Sequence, residues 1–171
     1  MSVFVVGSLH LDVVLRAPHH PGVDETVTGS ADDYGFGGKG GNQALAAARI
    51  GSDVRFAGRA GSDRFGDMIR ETLGDTPIDL TQLQRDAGPS GMSAAIVDQN
   101  GDYGAVIVSA ANLNIDAEAI KVPGGTSVVV VQNEVPETVN VVVAQKARAA
   151  GAQVWLNAAP RLCSRRPIFS D

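Results

Sequence analysis

The fold of this chain is decided by a glycine-rich stretch, Gly35-Phe36-Gly37-Gly38-Lys39-Gly40-Gly41-Asn42-Gln43-Ala44. Five of its first seven residues are glycine, which tolerates backbone angles closed to other residues and lets a backbone approach a ligand closely. An alanine-rich run over residues 44–48 follows at once and favours a helix. Unpaired N–H groups at a helix N-terminus attract oxygen-rich or anionic ligands. The stretch therefore predicts a binding site for a polar small molecule.

Two nucleotide-binding motifs fit this stretch poorly. Gly35, Gly37 and Gly40 satisfy the dinucleotide spacing G-x-G-x-x-G, but that motif closes the first β-α turn. The first apolar strand here, residues 3–6, lies far upstream, so a dinucleotide oxidoreductase is disfavoured. The phosphate motif G-x-x-x-x-G-K-[ST] is excluded, because Gly40 follows Lys39 where Ser or Thr is required. A flexible glycine-rich loop without a ligand is the structural alternative.

Composition narrows the class of protein. The 171 residues suffice for one domain, and 44% hydrophobic with 19% charged residues is ordinary for a globular protein. A net charge of −5 predicts no basic face for nucleic acid. The apolar runs, such as residues 128–131, are too short to span a membrane. The single Cys163 cannot form an internal disulfide, which predicts a reducing, cytoplasmic environment.

Strand and helix patterns alternate along the chain. Apolar runs predict buried strands at residues 3–6, 54–57, 128–131 and 154–156, and helices are predicted at 41–49, 64–73 and 136–150. This alternation predicts an α/β fold with a mostly parallel sheet. Two strand pairs stand outside it, at 13–17 with 25–29 and at 93–97 with 105–108 around the hairpin signal Asn100-Gly101. They predict a small β lid over one end of the main sheet.

With these motifs in place, the chain resembles the ribokinase-like (PfkB) carbohydrate kinase family from Met1 to about Pro160. Residues 36–44 match the family's first signature. Further pieces follow in the family's order, at residues 6–12, 21–22, 25–27, 58–66, 100–101, 132–134 and 157–160. The resemblance implies a Rossmann-like, mostly parallel sheet flanked by helices, with lid strands near 12–30 and 92–109. It implies a domain over residues 1–160 and an atypical tail over 161–171.

The resemblance also implies where a sugar binds, between the glycine-rich loop and the lid. It assigns sugar contacts to Asp12, Gly38, Lys39, Asn42 and Glu134, and places Asn157 on the nucleotide side. Carboxylates accept hydrogen bonds from sugar hydroxyls, and Asn and Lys donate to sugar oxygens. Glu134 and Asn157 both follow apolar strands, and open α/β sheets bind ligands at the carboxyl ends of their strands.

Members of this family use ATP and Mg2+ to phosphorylate a hydroxyl group of a sugar or related alcohol. The family's second signature, a G-A-G-D string with the catalytic Asp and the anion hole, is missing from this sequence. The resemblance therefore implies the N-terminal half of a sugar kinase, truncated or frame-shifted and inactive alone. The catalytic base is expected in the missing half, and no catalytic or metal-ligating residue is assigned in this one. His10 stands where ribokinases usually carry Asn, which puts ribose specificity in question.

A non-catalytic sugar-binding or dimerisation module is the alternative function. Exposed sheet edges and faces favour pairing with a partner, and family lids often serve this way, so we expect a homodimer formed through the lid. Structural roles without a ligand are the alternatives for three of the predicted sugar contacts. Asp12 could be a strand-end polar residue, Lys39 a solvated lysine, and Glu134 an acid favoured by the dipole of the helix near Pro136. Asp63 is expected to have a turn or helix-cap role before Arg64.

Overall fold

The computed structural model describes residues 1–160, apart from the side chains of residues 31–33. Within this range the elements, in chain order, are β1 (Ser2–Val6), β2 (His10–Arg16), β3 (Ser30–Gly37), α1 (Lys39–Arg49), β4 (Asp53–Ala60), α2 (Arg64–Gly74), β5 (Asp79–Arg85), β6 (Met92–Val97), β7 (Tyr103–Val108), a 3-10 helix (Ala110–Asn114), β8 (Val128–Gln132), α3 (Glu137–Ala149) and β9 (Gln153–Asn157). None of the described helices is both long and apolar enough to cross a membrane.

The main sheet has five parallel strands in the order β5-β4-β1-β8-β9. Its central strand β1 is apolar from Val3 to Val6 because both of its faces are covered. Val3 and Val5 pack in one core cluster with Ile69 of α2. Phe4 packs on the opposite face in a second cluster with Val143 of α3. The strand order reverses between β1 and β8, and the crevice at such a point is where open α/β sheets bind ligands.

The second sheet has four strands in the order β3-β2-β6-β7 and forms the lid. Strands β2 and β6 are parallel, and the two outer pairs are antiparallel. Asp12 of β2 lies in register with Gly35, with Ser93 and, through Ser93, with Ile107. Directly opposed residues point to the same face of a sheet. One row across the lid therefore presents Asp12, Ser93 and Ile107 together.

The predicted α/β core and separate small sheet are confirmed, but the first lid pair was placed wrongly. Residues 25–29 lie outside any strand, and the partner of β2 is β3, which includes the start of the glycine-rich stretch. Residues 35–37 are therefore strand rather than loop. Glycine and aspartate are depleted in strands, which hides β3 in the sequence. A Cβ atom on Gly37 would collide with the Asp12 carboxylate, so a larger residue there would displace this carboxylate.

Strand β5 was not predicted, and its polar sequence explains why. It forms an edge of the main sheet, so it carries no continuous apolar run. Gln82 exchanges two hydrogen bonds of 2.8 Å with the backbone of Lys121, and Gln84 exchanges two of 2.8 Å with the backbone of Asp116. Side-chain amides thus hold the 116–121 segment against this edge. The tail at 161–171 lies outside the described residues, so the domain boundary at 160 stays a prediction.

Candidate sugar site

The site begins where β1 ends and the N-terminus of α1 meets it. The backbone N–H of Gly41 donates to the Ser8 carbonyl at 3.0 Å. Gly38, the residue before the helix, has a φ of 89°, which favours glycine. A Cβ atom there would lie 2.8 Å from the Ser8 oxygen and 2.9 Å from the His10 nitrogen. The glycine-rich stretch therefore permits backbone packing against residues 8–10, and α1 begins at Lys39 rather than at the predicted Gly41.

Glu134 follows β8 and connects the end of this strand with Ser8, which follows β1, and with the N-terminus of α1. Its Oε2 accepts hydrogen bonds from the Ser8 hydroxyl at 2.6 Å and from the backbone N–H of Lys39 at 2.7 Å. Its Oε1 lies 3.0 Å from the Lys39 Nζ, and its side chain is 4% exposed. No side chain within α1 caps this helix, so Glu134 supplies the negative charge that a helix N-terminus favours.

Glu134 is ionised in this setting. Burial raises the pKa of Glu134, but the hydrogen bonds from the Ser8 hydroxyl and from the Lys39 backbone and side chain act in the opposite direction. The net pKa of Glu134 lies below its ordinary value. The carboxylate therefore stays charged at neutral pH, and its oxygens accept hydrogen bonds but do not donate them.

His10 and Asp12 lie on the same face of β2, because side chains two residues apart in a strand share a face. Asp12 Oδ1 accepts a hydrogen bond from the Ser93 hydroxyl at 2.6 Å. His10 is 2% exposed. Burial lowers the pKa of His10 and outweighs the charges of Glu134 and Asp12, which raise it; Lys39 lowers it further. The imidazole is therefore neutral at neutral pH.

These groups line one cavity of about 130 Å³. Its walls are formed by His10, Asp12, Gly38, Lys39, Asn42, Ser93, Tyr103, Ile107 and Glu134. All five predicted sugar contacts are among them. The volume is well below the ~300–1,000 Å³ of pockets for drug-sized ligands, which fits a molecule of monosaccharide size. A larger open cleft of about 570 Å³ at the far end of the lid includes Arg16, Thr28 and Asp98 but none of the predicted residues.

Sequence reasoning missed three of the lining residues and did not count His10 as a sugar contact. Ser93, Tyr103 and Ile107 come from β6 and β7. The Asn100-Gly101 hairpin carries a partial signal, since its register pairs Ser93 with Ile107. What the sequence did not provide was the parallel pairing of β6 with β2, which places Ser93 opposite Asp12. The hydrogen bond between Ser93 and Asp12 on the lid side of the cavity depends on that long-range pairing.

Asn157 stands apart from this cavity. It ends β9, in register with Gln132 of β8, so it lies at the same carboxyl edge of the main sheet. Its side chain is exposed and its Oδ1 accepts a hydrogen bond from the backbone N–H of Ala159 at 3.1 Å. Asn157 does not line the sugar-sized cavity, and its role toward a nucleotide stays a prediction.

Asp63 has the structural role that was expected. Its Oδ1 accepts a hydrogen bond from the backbone N–H of Gly66 at 2.8 Å, and its Oδ2 accepts one from the Ser90 backbone at 2.9 Å. It therefore caps α2 and ties the helix to the segment before β6. Among the side chains that the structure describes, no three His, Cys, Asp or Glu residues are grouped so that they could hold a metal ion.

Comparison with known proteins identifies similar chains. The model of the pfkB family carbohydrate kinases matches residues 1–166. A ribokinase of Mus musculus is 33% identical over 174 residues, covering 98% of this chain and 54% of the relative. The structure of a Cryptococcus neoformans ribokinase in complex with ADP has a TM-score of 0.83 at 26% identity, covering 94% of this chain and 51% of that one. An Arabidopsis thaliana ribokinase complexed with ribose and ATP has a TM-score of 0.78 at 27% identity, covering 92% of this chain and 53% of that one. The chain thus spans about half the length of these relatives.

Proposed function

The chain belongs to the pfkB family of carbohydrate kinases, and we propose that it binds the sugar of a ribokinase-type kinase. A ribokinase-type kinase transfers the γ-phosphoryl group of ATP to a hydroxyl group of the sugar. One observation carries the proposal. Asp12, Gly38, Lys39, Asn42 and Glu134 are spread over more than a hundred positions, yet they line a single cavity of monosaccharide size.

The chemistry of the cavity suits a polyhydroxylated ligand. Asp12 accepts hydrogen bonds from hydroxyl groups, while Lys39 and Asn42 donate to sugar oxygens. Glu134 acts on the ligand in part through Lys39, because its Oε2 already accepts two hydrogen bonds and its Oε1 holds the Lys39 ammonium. A fixed ammonium loses less side-chain entropy on binding than a mobile one. Glu134 is thus both a wall of the site and the group that positions Lys39.

ATP and Mg2+ are the proposed cofactors of the phosphoryl transfer. Support for the nucleotide comes from similar ribokinase structures, one with ADP and one with ribose and ATP. Phosphoryl transfer requires a positioned base, a metal ion and charge stabilisation around the transferred group. The G-A-G-D string that carries the catalytic Asp and the anion hole in this family is absent from the sequence. We propose that residues 1–171 bind the sugar and do not turn it over by themselves.

A homodimer through the lid is proposed as well. Val13, Tyr34, Ala94 and Val106 are in register on the lid face opposite Asp12. Tyr34 is 58% and Val106 is 69% exposed. Val13 and Ala94 between them are half-buried, and exposed apolar side chains of this kind on one sheet face support a protein–protein interface. A cytoplasmic location stays a prediction from the single cysteine.

Calorimetric titration with D-ribose, 2-deoxy-D-ribose, D-fructose and adenosine tests the function, paired with an assay of ADP release. We expect saturable binding of a monosaccharide that Asp12→Ala abolishes. Asp75→Ala is the matched control, because Asp75 is exposed at the end of α2 and does not line the cavity. Failure of every sugar to bind would overturn the proposal. Sugar binding without ADP release is the expected result, and sugar-dependent ADP release that Asp12→Ala abolishes would overturn the proposal that this chain does not turn the sugar over.

A further inference from the structure

Asn112, on the 3-10 helix that follows the lid strand β7, is a buried polar side chain outside the sugar-sized cavity. It is 0% exposed. Its Oδ1 accepts a hydrogen bond from the Leu9 N–H at 2.9 Å, and its Nδ2 donates to the Leu9 carbonyl at 2.9 Å and to the Ser109 carbonyl at 2.9 Å. Leu9 lies between β1 and β2 and belongs to neither strand. Asn112 therefore gives its backbone the pair of hydrogen bonds that a neighbouring strand gives elsewhere.

Leu9 lies where the chain passes from the main sheet to the lid. The core and the lid are connected by four segments, which are residues 7–9, residue 38, residues 86–91 and residues 109–127. A Cβ atom on Gly38 would lie 2.9 Å from the Leu9 Cα, and one on Gly91 would collide with the Asn112 amide. The four connections therefore meet around Leu9 and Asn112, where close packing passes a displacement from one segment to the next.

The proposed sugar contacts lie on both sides of this junction. Asp12 is on the lid, three residues after Leu9, whereas Lys39 and Asn42 are on α1 of the core. One sugar reaches all of these side chains only when β2 is placed correctly against α1, because hydrogen bonds form over a narrow range of distances and angles. The position of Leu9 therefore affects how the two sides of the site are aligned.

Given the proposed sugar-binding function, we propose that Asn112 is a positioning residue: by holding Leu9, it fixes where β2 presents Asp12 relative to α1. Asn112 does not touch the sugar, so its effect passes through Asp12. Its removal leaves the N–H and carbonyl groups of Leu9 buried without these partners, which is costly. The start of β2 then shifts toward other partners, because buried backbone groups are almost always hydrogen-bonded.

A purely structural role is the alternative, and the same 3-10 helix offers a matched control. The Asn114 Nδ2 donates to the Asp86 Oδ2 at 3.0 Å. Asp86 follows β5, and Asn114 does not line the cavity. Asn114→Ala therefore removes a side-chain hydrogen bond of this helix without freeing Leu9. A loss of stability alone leaves the dissociation constant for sugar unchanged while nearly all molecules are folded, because the apparent constant rises only by the reciprocal of the competent fraction.

Double-mutant cycles measured by calorimetry test the proposal. Dissociation constants for the tightest-binding monosaccharide are compared with and without Asn112→Ala in three backgrounds, which are the wild type, Asp12→Asn and Asn42→Ala. Asn112→Ala is expected to weaken binding about 10-fold or more in the wild type and in Asn42→Ala. It should weaken binding less than about 3-fold in Asp12→Asn, because two residues that act on one contact are not additive. Asn114→Ala should bind within about 2-fold of the wild type.

The outcomes separate this proposal from the proposed function. Binding by Asn112→Ala within about 2-fold of the wild type overturns the positioning role, and so does equal weakening in the Asp12→Asn and Asn42→Ala backgrounds. In both cases the wild type still binds sugar, so the proposed function stands. If the wild type binds no monosaccharide, both proposals fail. If circular dichroism shows that Asn112→Ala is unfolded, the cycles use Asn112→Ser, whose hydroxyl keeps a donor and an acceptor, and equal weakening in the two backgrounds is again the result that overturns the inference.

Discussion

The buried carboxylate of Glu134 makes a strong prediction about stability. Replacing it in Glu134→Gln keeps the shape of the side chain but removes the charge. The carboxylate accepts hydrogen bonds from Ser8 at 2.6 Å and from the Lys39 N–H at 2.7 Å. The amide retains one acceptor oxygen, and its NH2 group faces donors that it cannot satisfy. Both hydrogen bonds go to Oε2, so an amide oxygen in that position keeps them as weaker, neutral hydrogen bonds, while the NH2 group faces the Lys39 Nζ.

The magnitude follows from these contacts. Hydrogen bonds to a charged group contribute about 1.5–3 kcal/mol, against about 0.5–1.5 kcal/mol for neutral pairs. The Lys39 Nζ contact at 3.0 Å adds little, because the lysine side chain is 34% exposed and the charge is screened by solvent. We expect the free energy of unfolding to fall by about 2–3 kcal/mol, which corresponds to a loss of roughly 5–10 °C in Tm for a chain of this size.

Urea unfolding followed by far-UV circular dichroism measures this change. The control is Glu118→Gln, because Glu118 is 80% exposed and pairs with Lys146 at 3.2 Å, so its loss should cost less than about 0.5 kcal/mol. The pKa of Glu134 is lowered in the folded state, so its stabilisation is complete above the unfolded-state pKa of ~4.3. It is lost as the pH falls through the lower folded-state pKa. Equal stability of the two variants at pH 7 would refute the reasoning.

Three further predictions concern backbone, protonation and assembly. Gly38→Ala should destabilise the chain by about 1–3 kcal/mol, because φ is 89° there and a Cβ atom would lie 2.8 Å from the Ser8 oxygen. The control is Gly74→Ala, because a Cβ atom on Gly74 would lie in open space. Equal melting temperatures of the two variants would contradict the predicted destabilisation. The pKa of His10 is lowered by burial, so unfolding free energy should decline as the pH falls from ~6.5 toward the lower folded-state pKa. The decline in unfolding free energy with falling pH should flatten in His10→Asn, because Asn does not titrate. An equal dependence of unfolding free energy on pH in the wild type and in His10→Asn would contradict the lowered pKa of His10. Val106→Asp should convert a dimer to a monomer in light scattering, whereas a monomeric wild type would reject the lid interface.

Local sequence patterns predicted the elements that are buried on both faces. The apolar runs that became β1 and β8 fill the two core clusters, and the Asn100-Gly101 turn joins β6 to β7 as expected. Strands β3 and β5 were not predicted, because their own residues do not have the apolar pattern of a buried strand. The first is rich in glycine and aspartate, and the second is a polar edge held by glutamine side chains. Propensity fails where partners distant in the chain determine the structure.

For the site as well, the sequence predicted the residues but not the contacts between distant parts of the chain. Asp12, Gly38, Lys39, Asn42 and Glu134 were proposed from motifs and their resemblance to a family, and they meet at one cavity. Their detailed roles were not accessible from the sequence. The pairing of Glu134 with Lys39 and the pairing of Asp12 with Ser93 span 95 and 81 positions. The first contact depends on how α1 packs against the end of β8, and the second depends on the parallel pairing of β2 with β6.

A crystal structure of this chain with its tightest-binding monosaccharide tests the central claim most directly. The account predicts one sugar in the cavity between the lid and α1, with hydroxyl groups within hydrogen-bonding distance of Asp12, Lys39 and Asn42. A sugar bound instead in the open cleft beside Arg16 and Asp98, with the Asp12 cavity unoccupied, would contradict it.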